Sequence, residues 1–173
     1  MGKILVMTVM GTDRTGLVES LARLIADAGG SWLESRMCRM GGEFAGILRA
    51  SVPDEREKFL VSSLEALKAE GLMMVIQHDT LPPSAGLPQT ATLSLVGHDR
   101  PGIIYHISAA LAHQKVNFEE LETECSSAPM SGEMIFRASA RLQIPRECDI
   151  SELQRELEEL GSELMVEISL TGA

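Results

Sequence analysis

The sequence predicts an α+β chain in which one βαββαβ unit is built twice. Three observations carry that expectation. First, "VMGTDRTGLV" at residues 9–18 returns 86 positions later as "LVGHDRPGII" at 95–104, so Gly11, Asp13, Arg14, Gly16, Leu17 and Val18 fall on Gly97, Asp99, Arg100, Gly102, Ile103 and Ile104. Second, apolar spacing switches between the two-residue period of strands and the 3.6-residue period of helices in the same order in both halves. Third, after four extra residues, "GEFAGILRASV" from Gly42 aligns with "GEMIFRASARL" from Gly132, which puts the insertion at a hairpin tip.

In the first half, 4–9 reads as a strand. Leu17, Val18, Leu21, Leu24, Ile25 and Ala28 then follow helical spacing, and Gly29-Gly30 stops that helix. Residues 31–40 and 43–52 read as a hairpin about Gly41-Gly42. Asp54 is placed to cap the next helix with Glu57 reaching back, Leu60, Leu64 and Leu67 form its apolar stripe, and Gly71 ends it before a strand over 72–77.

The second half repeats the order: a strand over 90–96, a helix lined by Ile103, Ile104, Ile107 and Leu111, and a hairpin of 116–125 with 133–144. Asp149 and Glu152 repeat the capping pair, Gly161 ends the second helix, and Leu164, Val166, Ile168 and Leu170 alternate in a last strand. Each half is therefore a ferredoxin-like unit, a four-stranded antiparallel sheet with two helices on one face. The expected organisation is 1–78, a linker at 79–89 carrying three prolines, and 90–173. A unit of about 80 residues buries only about 60% of its unfolded surface, so each gains from a partner, which the tandem copy supplies in the same chain. Association between chains, into a homo-oligomer, is expected as well.

Composition narrows the function. A net charge of −10 and the absence of a basic run argue against binding DNA or RNA, and 3% aromatic residues leave no stacking platform for RNA. No apolar stretch is long enough for a spanning helix, and the N-terminal run reads as a strand rather than a signal peptide. Cys38, Cys125 and Cys148 are odd in number and lack metal-site spacing, so they read as small packing residues in the cytoplasm. The ten methionines, among them Met7, Met10, Met37, Met40, Met73 and Met74, read mostly as core filler in strands. His98, His106 and His113 have no companion ligands, and no nucleophile elbow, P-loop or dinucleotide fingerprint occurs; neither catalysis nor a cofactor is expected.

The repeated turn is the candidate site. Asp13 and Asp99 stand near the N-cap, Gly16 and Gly102 in the first helical turn, and Pro101 suits a first-turn position that has no N–H partner to lose. A glycine there exposes backbone N–H groups, which suit the carboxylate of an amino acid.

Those twin turns inside βαββαβ units, with "SR" on the second strand and "GGEF" opening the third, resemble ACT domains over about residues 3–170. The resemblance implies a regulatory protein that binds a small amino acid, glycine first among candidates, where two modules meet. It also implies a protein partner, a transcriptional activator. The ligand-binding positions it implies are Thr12, Asp13, Thr15, Gly16, Leu17 and Ser31 in the first unit, and His98, Asp99, Pro101, Gly102, Ile103 and Asn117 in the second. Asn117 and Pro101 match the family pattern, whereas Ser31 and Thr15 depart from it, which favours the second turn. An assembly module without a small ligand, and a regulatory subunit of an amino-acid metabolic enzyme, are the alternatives.

Overall fold

The computed structural model describes residues 2–80, 89–129 and 132–172. The chain divides into two compact units, Met1–Pro83 and Ser84–Ala173. Residues 81–88, most of the expected linker, lie outside the described residues.

In the first unit, β1 (Gly2–Thr12), β2 (Ser31–Met40), β3 (Glu43–Pro53) and β4 (Met73–His78) form an antiparallel sheet in the order β2-β3-β1-β4. Helices α1 (Leu17–Asp27) and α2 (Glu57–Ala66) lie on one face, α2 being continued by a 3-10 turn, Leu67–Glu70. The second unit has β5 (Gln89–His98), α3 (Ile103–His113), β6 (Asn117–Ser127), β7 (Met134–Ile144), α4 (Ile150–Leu164) and β8 (Val166–Thr171), with sheet order β6-β7-β5-β8. Both units are therefore ferredoxin-like, with the two crossover strands in the middle and the hairpin partner at an edge.

Each sheet is two-faced because side chains alternate along a strand. Leu5, Met7 and Val9 of β1 and Leu48, Ala50 and Val52 of β3 are buried beneath Leu17, Leu21 and Ile25 of α1 and Leu60 and Leu64 of α2. In the second unit Leu93, Leu95 and Leu142 meet Ile107, Leu111, Leu153 and Leu157. Burying each of the Leu, Ile, Val and Met side chains contributes about 1.5–3 kcal/mol.

Local chemistry departs from the expectation in several places. Asp54 caps nothing: Asp54–Arg56 forms a 3-10 turn that runs straight into α2, and no side chain caps that helix. Glu57 is drawn away from the capping role by two side chains, Lys3 at 2.5 Å and His78 at 2.6 Å. Asp149 does cap α4, accepting hydrogen bonds from the Ser151 and Glu152 backbone N–H groups at 2.9 and 3.1 Å. Gly161 does not end α4; the helix runs on to Leu164, and Met165 in the left-handed region closes it. Gly161 instead lets β8 lie close, since a Cβ there would meet the Val166 carbonyl at 2.9 Å. The cysteine and methionine expectations hold only in part. Cys148 and Met7 pack inward, while Cys38, Cys125, Met10, Met40 and Met73 are exposed.

The Glu57 cluster gives a pH prediction. Hydrogen bonds from Lys3 and then from His78 hold its carboxyl below the ordinary 4.5. A carboxyl whose folded pKa is depressed contributes stability above its unfolded pKa, and loses it as pH falls through the folded value. The stability advantage of the wild-type chain over Glu57→Gln is therefore expected to be present at about pH 6 and to shrink as pH falls below about 4.5, read by urea unfolding at a series of pH values.

Candidate functional site

Both units open the first helix through the same corner. In the first, the Asp13 N–H donates to the Gly42 carbonyl at 3.0 Å, which ties the end of β1 to the β2-β3 hairpin. Gly16 follows as the N-cap of α1 with φ 91°, a left-handed conformation costly for any residue with a Cβ. Its carbonyl accepts the first helical bond, from Ser20 N–H at 2.9 Å. In the second, the Asp99 N–H donates to the Met134 carbonyl at 2.9 Å, Gly102 is the N-cap of α3 at φ 92°, and its carbonyl accepts from His106 N–H at 3.0 Å.

The aspartates are not caps, contrary to the expectation, because the glycine takes the N-cap position and no side chain hydrogen-bonds either helix start. Pro101 likewise lies in the turn before α3 and not in its first helical turn. The consequence is chemical. Leu17, Val18 and Glu19 in α1, and Ile103, Ile104 and Tyr105 in α3, present first-turn amides that precede the first intrahelical bond and receive no side-chain acceptor.

The aspartates serve other neighbours. Asp13 pairs with Arg39 of β2 at 2.7 Å. At the same place in the second unit stands Cys125, 86 residues on. Partial burial and a hydrogen bond with the Asp99 carboxylate push the Cys125 thiol above its usual range. Asp99 forms no ion pair among the described residues, so the second corner keeps a carboxylate that the first has neutralised. The arginines of the repeat reach the segment just before the last strand of each unit: Arg14 meets Glu70 at 2.6 Å, and Arg100 donates to the Met165 sulfur at 3.7 Å.

Asp13, Arg14, Gly16, Leu17, Val18, Glu19 and Phe44 line an open hollow of about 270 Å³ at the first corner. Thr12 ends β1 beside it and Thr15 is exposed in the turn. At the second corner His98 and Pro101 are exposed, with His98 Nδ1 3.8 Å from Glu133. Tyr105 is 70% exposed and meets the His106 ring edge-on at 5.2 Å.

Ser31 and Asn117 stand apart from these residues. Ser31 pairs with Ser51, which pairs with Ile4, whereas Thr12 pairs with Glu43 at the other end of the sheet. Eight residues of β1 separate the two ends, roughly 27 Å at about 3.4 Å per residue. Asn117, level with Gln143 and Thr90, is removed from His98 in the same way. Within one unit, a single small molecule cannot touch both.

Sequence reasoning missed Arg39, Cys125, Phe44 and Tyr105 as neighbours of the corner. The 86-residue offset that revealed the repeat also sets Arg39 on Cys125, and it was the available signal. Among the described residues, no cluster of His, Cys, Asp or Glu could hold a metal ion, and no helix is long and apolar enough to cross a membrane.

The sequence pattern of the ACT domain family matches residues 3–77, and the second unit repeats that topology strand for strand. The chain is an ACT-domain protein with two ferredoxin-like units. It is homologous to the glycine cleavage system transcriptional repressor of Escherichia coli (strain K12), a regulator with which it shares 24% identity over 167 residues, 96% of this chain and 88% of that one. A UPF0237 protein of Pyrobaculum aerophilum is 35% identical over 82 residues, 47% of this chain and 86% of that protein. The crystal structure of an unknown protein from Galdieria sulphuraria superposes with a TM-score of 0.89 at 28% identity, covering 100% of this chain and 99% of that one.

Proposed function

We propose that the chain is a noncatalytic, cytoplasmic amino-acid-sensing regulator that binds a small amino acid, glycine first, at the corners formed by Thr12–Leu17 and His98–Ile103. The observation that carries this reading is the twice-built helix start opened by a left-handed glycine and left without a side-chain cap. An amino acid's carboxylate suits those first-turn amides and the positive end of the helix dipole, worth about 0.3–1 kcal/mol at an exposed site. Its ammonium suits the carboxylate of Asp99, which has no cationic partner among the described residues. Ser31 and Asn117 lie outside the reach of that ligand within their own units.

Occupancy acts on a protein partner, for which a transcriptional activator is our candidate, in keeping with the similarity to a protein named as a transcriptional repressor. The ligand shifts that contact only through a difference in its affinity for the free and partner-bound states. A thermal-shift screen of the twenty amino acids tests the ligand, with stabilisation expected for glycine or a near relative. At about a hundredfold excess over Kd the gain is about 2.7 kcal/mol. No shift with any amino acid would leave an assembly role in its place. Affinity capture with the full chain, with and without glycine, tests the partner; a metabolic enzyme recovered in place of an activator contradicts the transcriptional role.

A further inference from the structure

The two corners share a backbone but not a charge pattern. In the first, both charges of the Asp-Arg pair are taken inside the unit: Arg39 meets Asp13 at 2.7 Å and Glu70 meets Arg14 at 2.6 Å. In the second, neither partner is present. Cys125 stands where Arg39 does, since each lies opposite a phenylalanine, Phe136 or Phe44, that pairs in turn with the corner glycine, Gly97 or Gly11. Leu164 stands where Glu70 does, the same distance before Glu167 as Glu70 is before Met73, and those two residues share one rung of the two sheets. The neighbours of Asp99 and Arg100 are therefore neutral, a thiol for the carboxylate and the Met165 thioether for the guanidinium. Neither charge is answered by an ion pair among the described residues.

The helix starts differ in the same sense. Glu19 lies in the first turn of α1, its carboxylate 3.8 Å from Arg23, whereas the first turn of α3 has no acidic residue and carries Tyr105 at that place. A second anion at a helix start is favoured by the dipole but opposed by a like charge beside it. The hairpins do not distinguish the corners, because each brings one carboxylate, Glu43 opposite Thr12 and Glu133 beside His98.

A zwitterion carries one charge of each sign. At the first corner its ammonium competes with Arg39 for Asp13, and its carboxylate meets Glu19 and an arginine already engaged by Glu70. At the second corner each end finds an opposite charge that is unpaired.

We propose that the two corners are unequal, the second taking the amino acid first, and that Arg39 sets this order by holding Asp13 where Cys125 leaves Asp99 open. Arg39 is a positioning residue, acting through Asp13. The inference rests on the amino-acid reading of the corners and adds which one fills first and what decides it.

Titration of the labelled full chain with glycine, or with whichever amino acid stabilises the chain most if glycine gives no shift, reads each corner separately through the amides of Gly16–Val18 and Gly102–Ile104. The dissociation constant at the second corner is expected at least about tenfold below that at the first. Arg39 is 69% exposed, so Arg39→Gln leaves the core intact. It is expected to lower the first corner's constant at least about threefold, the scale of an exposed ion pair, and to leave the second's unchanged. The reciprocal variant Cys125→Arg, at an exposed position, is expected to raise the second corner's constant by a similar factor. Equal constants in the wild-type chain, or a tighter first corner, overturn the inference and leave the amino-acid reading standing. So does a folded Arg39→Gln chain whose first corner binds as before, or whose two corners shift together. Binding of no amino acid at either corner overturns both.

Discussion

Gly97→Ala is expected to lower the unfolding free energy by about 3 kcal/mol, the upper part of the usual range for overpacking. A Cβ built on Gly97 would lie 2.4 Å from Val166 Cγ1, 2.8 Å from Val166 Cα and 2.9 Å from the Met165 carbonyl oxygen. Two of those three atoms are backbone, so a rotamer change cannot relieve the clash; β8 must move away from β5. Gly11→Ala repeats the conflict in the first unit, where the Cβ would meet the Gly71 carbonyl oxygen at 2.8 Å and Leu72 Cδ2 at 3.2 Å. Gly16→Ala separates crowding from backbone strain. Nothing lies within 4 Å of its added Cβ, yet φ is 91°, so a loss of about 1 kcal/mol is expected from the left-handed conformation alone. Urea unfolding ranks the three; equal losses at Gly97 and Gly16 would contradict the packing account.

The other large effect is expected for Leu21→Ala. Leu21 is fully buried at the centre of α1, in the cluster that joins Leu5, Met7, Leu48 and Leu60. Truncation removes its transfer free energy and leaves a cavity between helix and sheet, a combined cost of about 2–5 kcal/mol. Val18, one helical turn away at 47% exposure, serves as the control, since Val18→Ala removes little buried area. Chemical unfolding in which both substitutions cost the same would show that α1 is not seated as described.

The fold was largely legible because its signals are periodic and come twice. Leu17, Leu21 and Ile25 mark the buried stripe of α1 in the sequence as they do in space, and the same spacing recurs in α3. What sequence could not convey was competition among neighbours distant in the chain. Asp54 and Glu57 have the spacing of a cap, but Lys3 and His78, 54 and 21 residues from Glu57, claim its carboxylate. Asp149 faces no such rivals and caps as expected.

The corner was legible in composition but not in the roles of its residues. Each Asp-Arg pair reads as a helix cap beside a turn, yet the left-handed glycine takes the N-cap, Asp13 turns to Arg39, and Arg14 turns to Glu70. The exposed methionines misled for a related reason. A strand pattern says that alternate residues share a face but not which face is covered, and Met10 and Met73 lie on the one that the helices leave open.

Titration of the isotopically labelled full chain with glycine, followed through backbone amide resonances, tests the corner assignment most directly. The account predicts saturable shifts concentrated at the amides of Asp13–Val18, Asp99, Arg100 and Gly102–Ile104, with smaller changes along α2 and α4. Spectra unmoved by glycine and by every other amino acid, or shifts confined to residues remote from both corners, would contradict it.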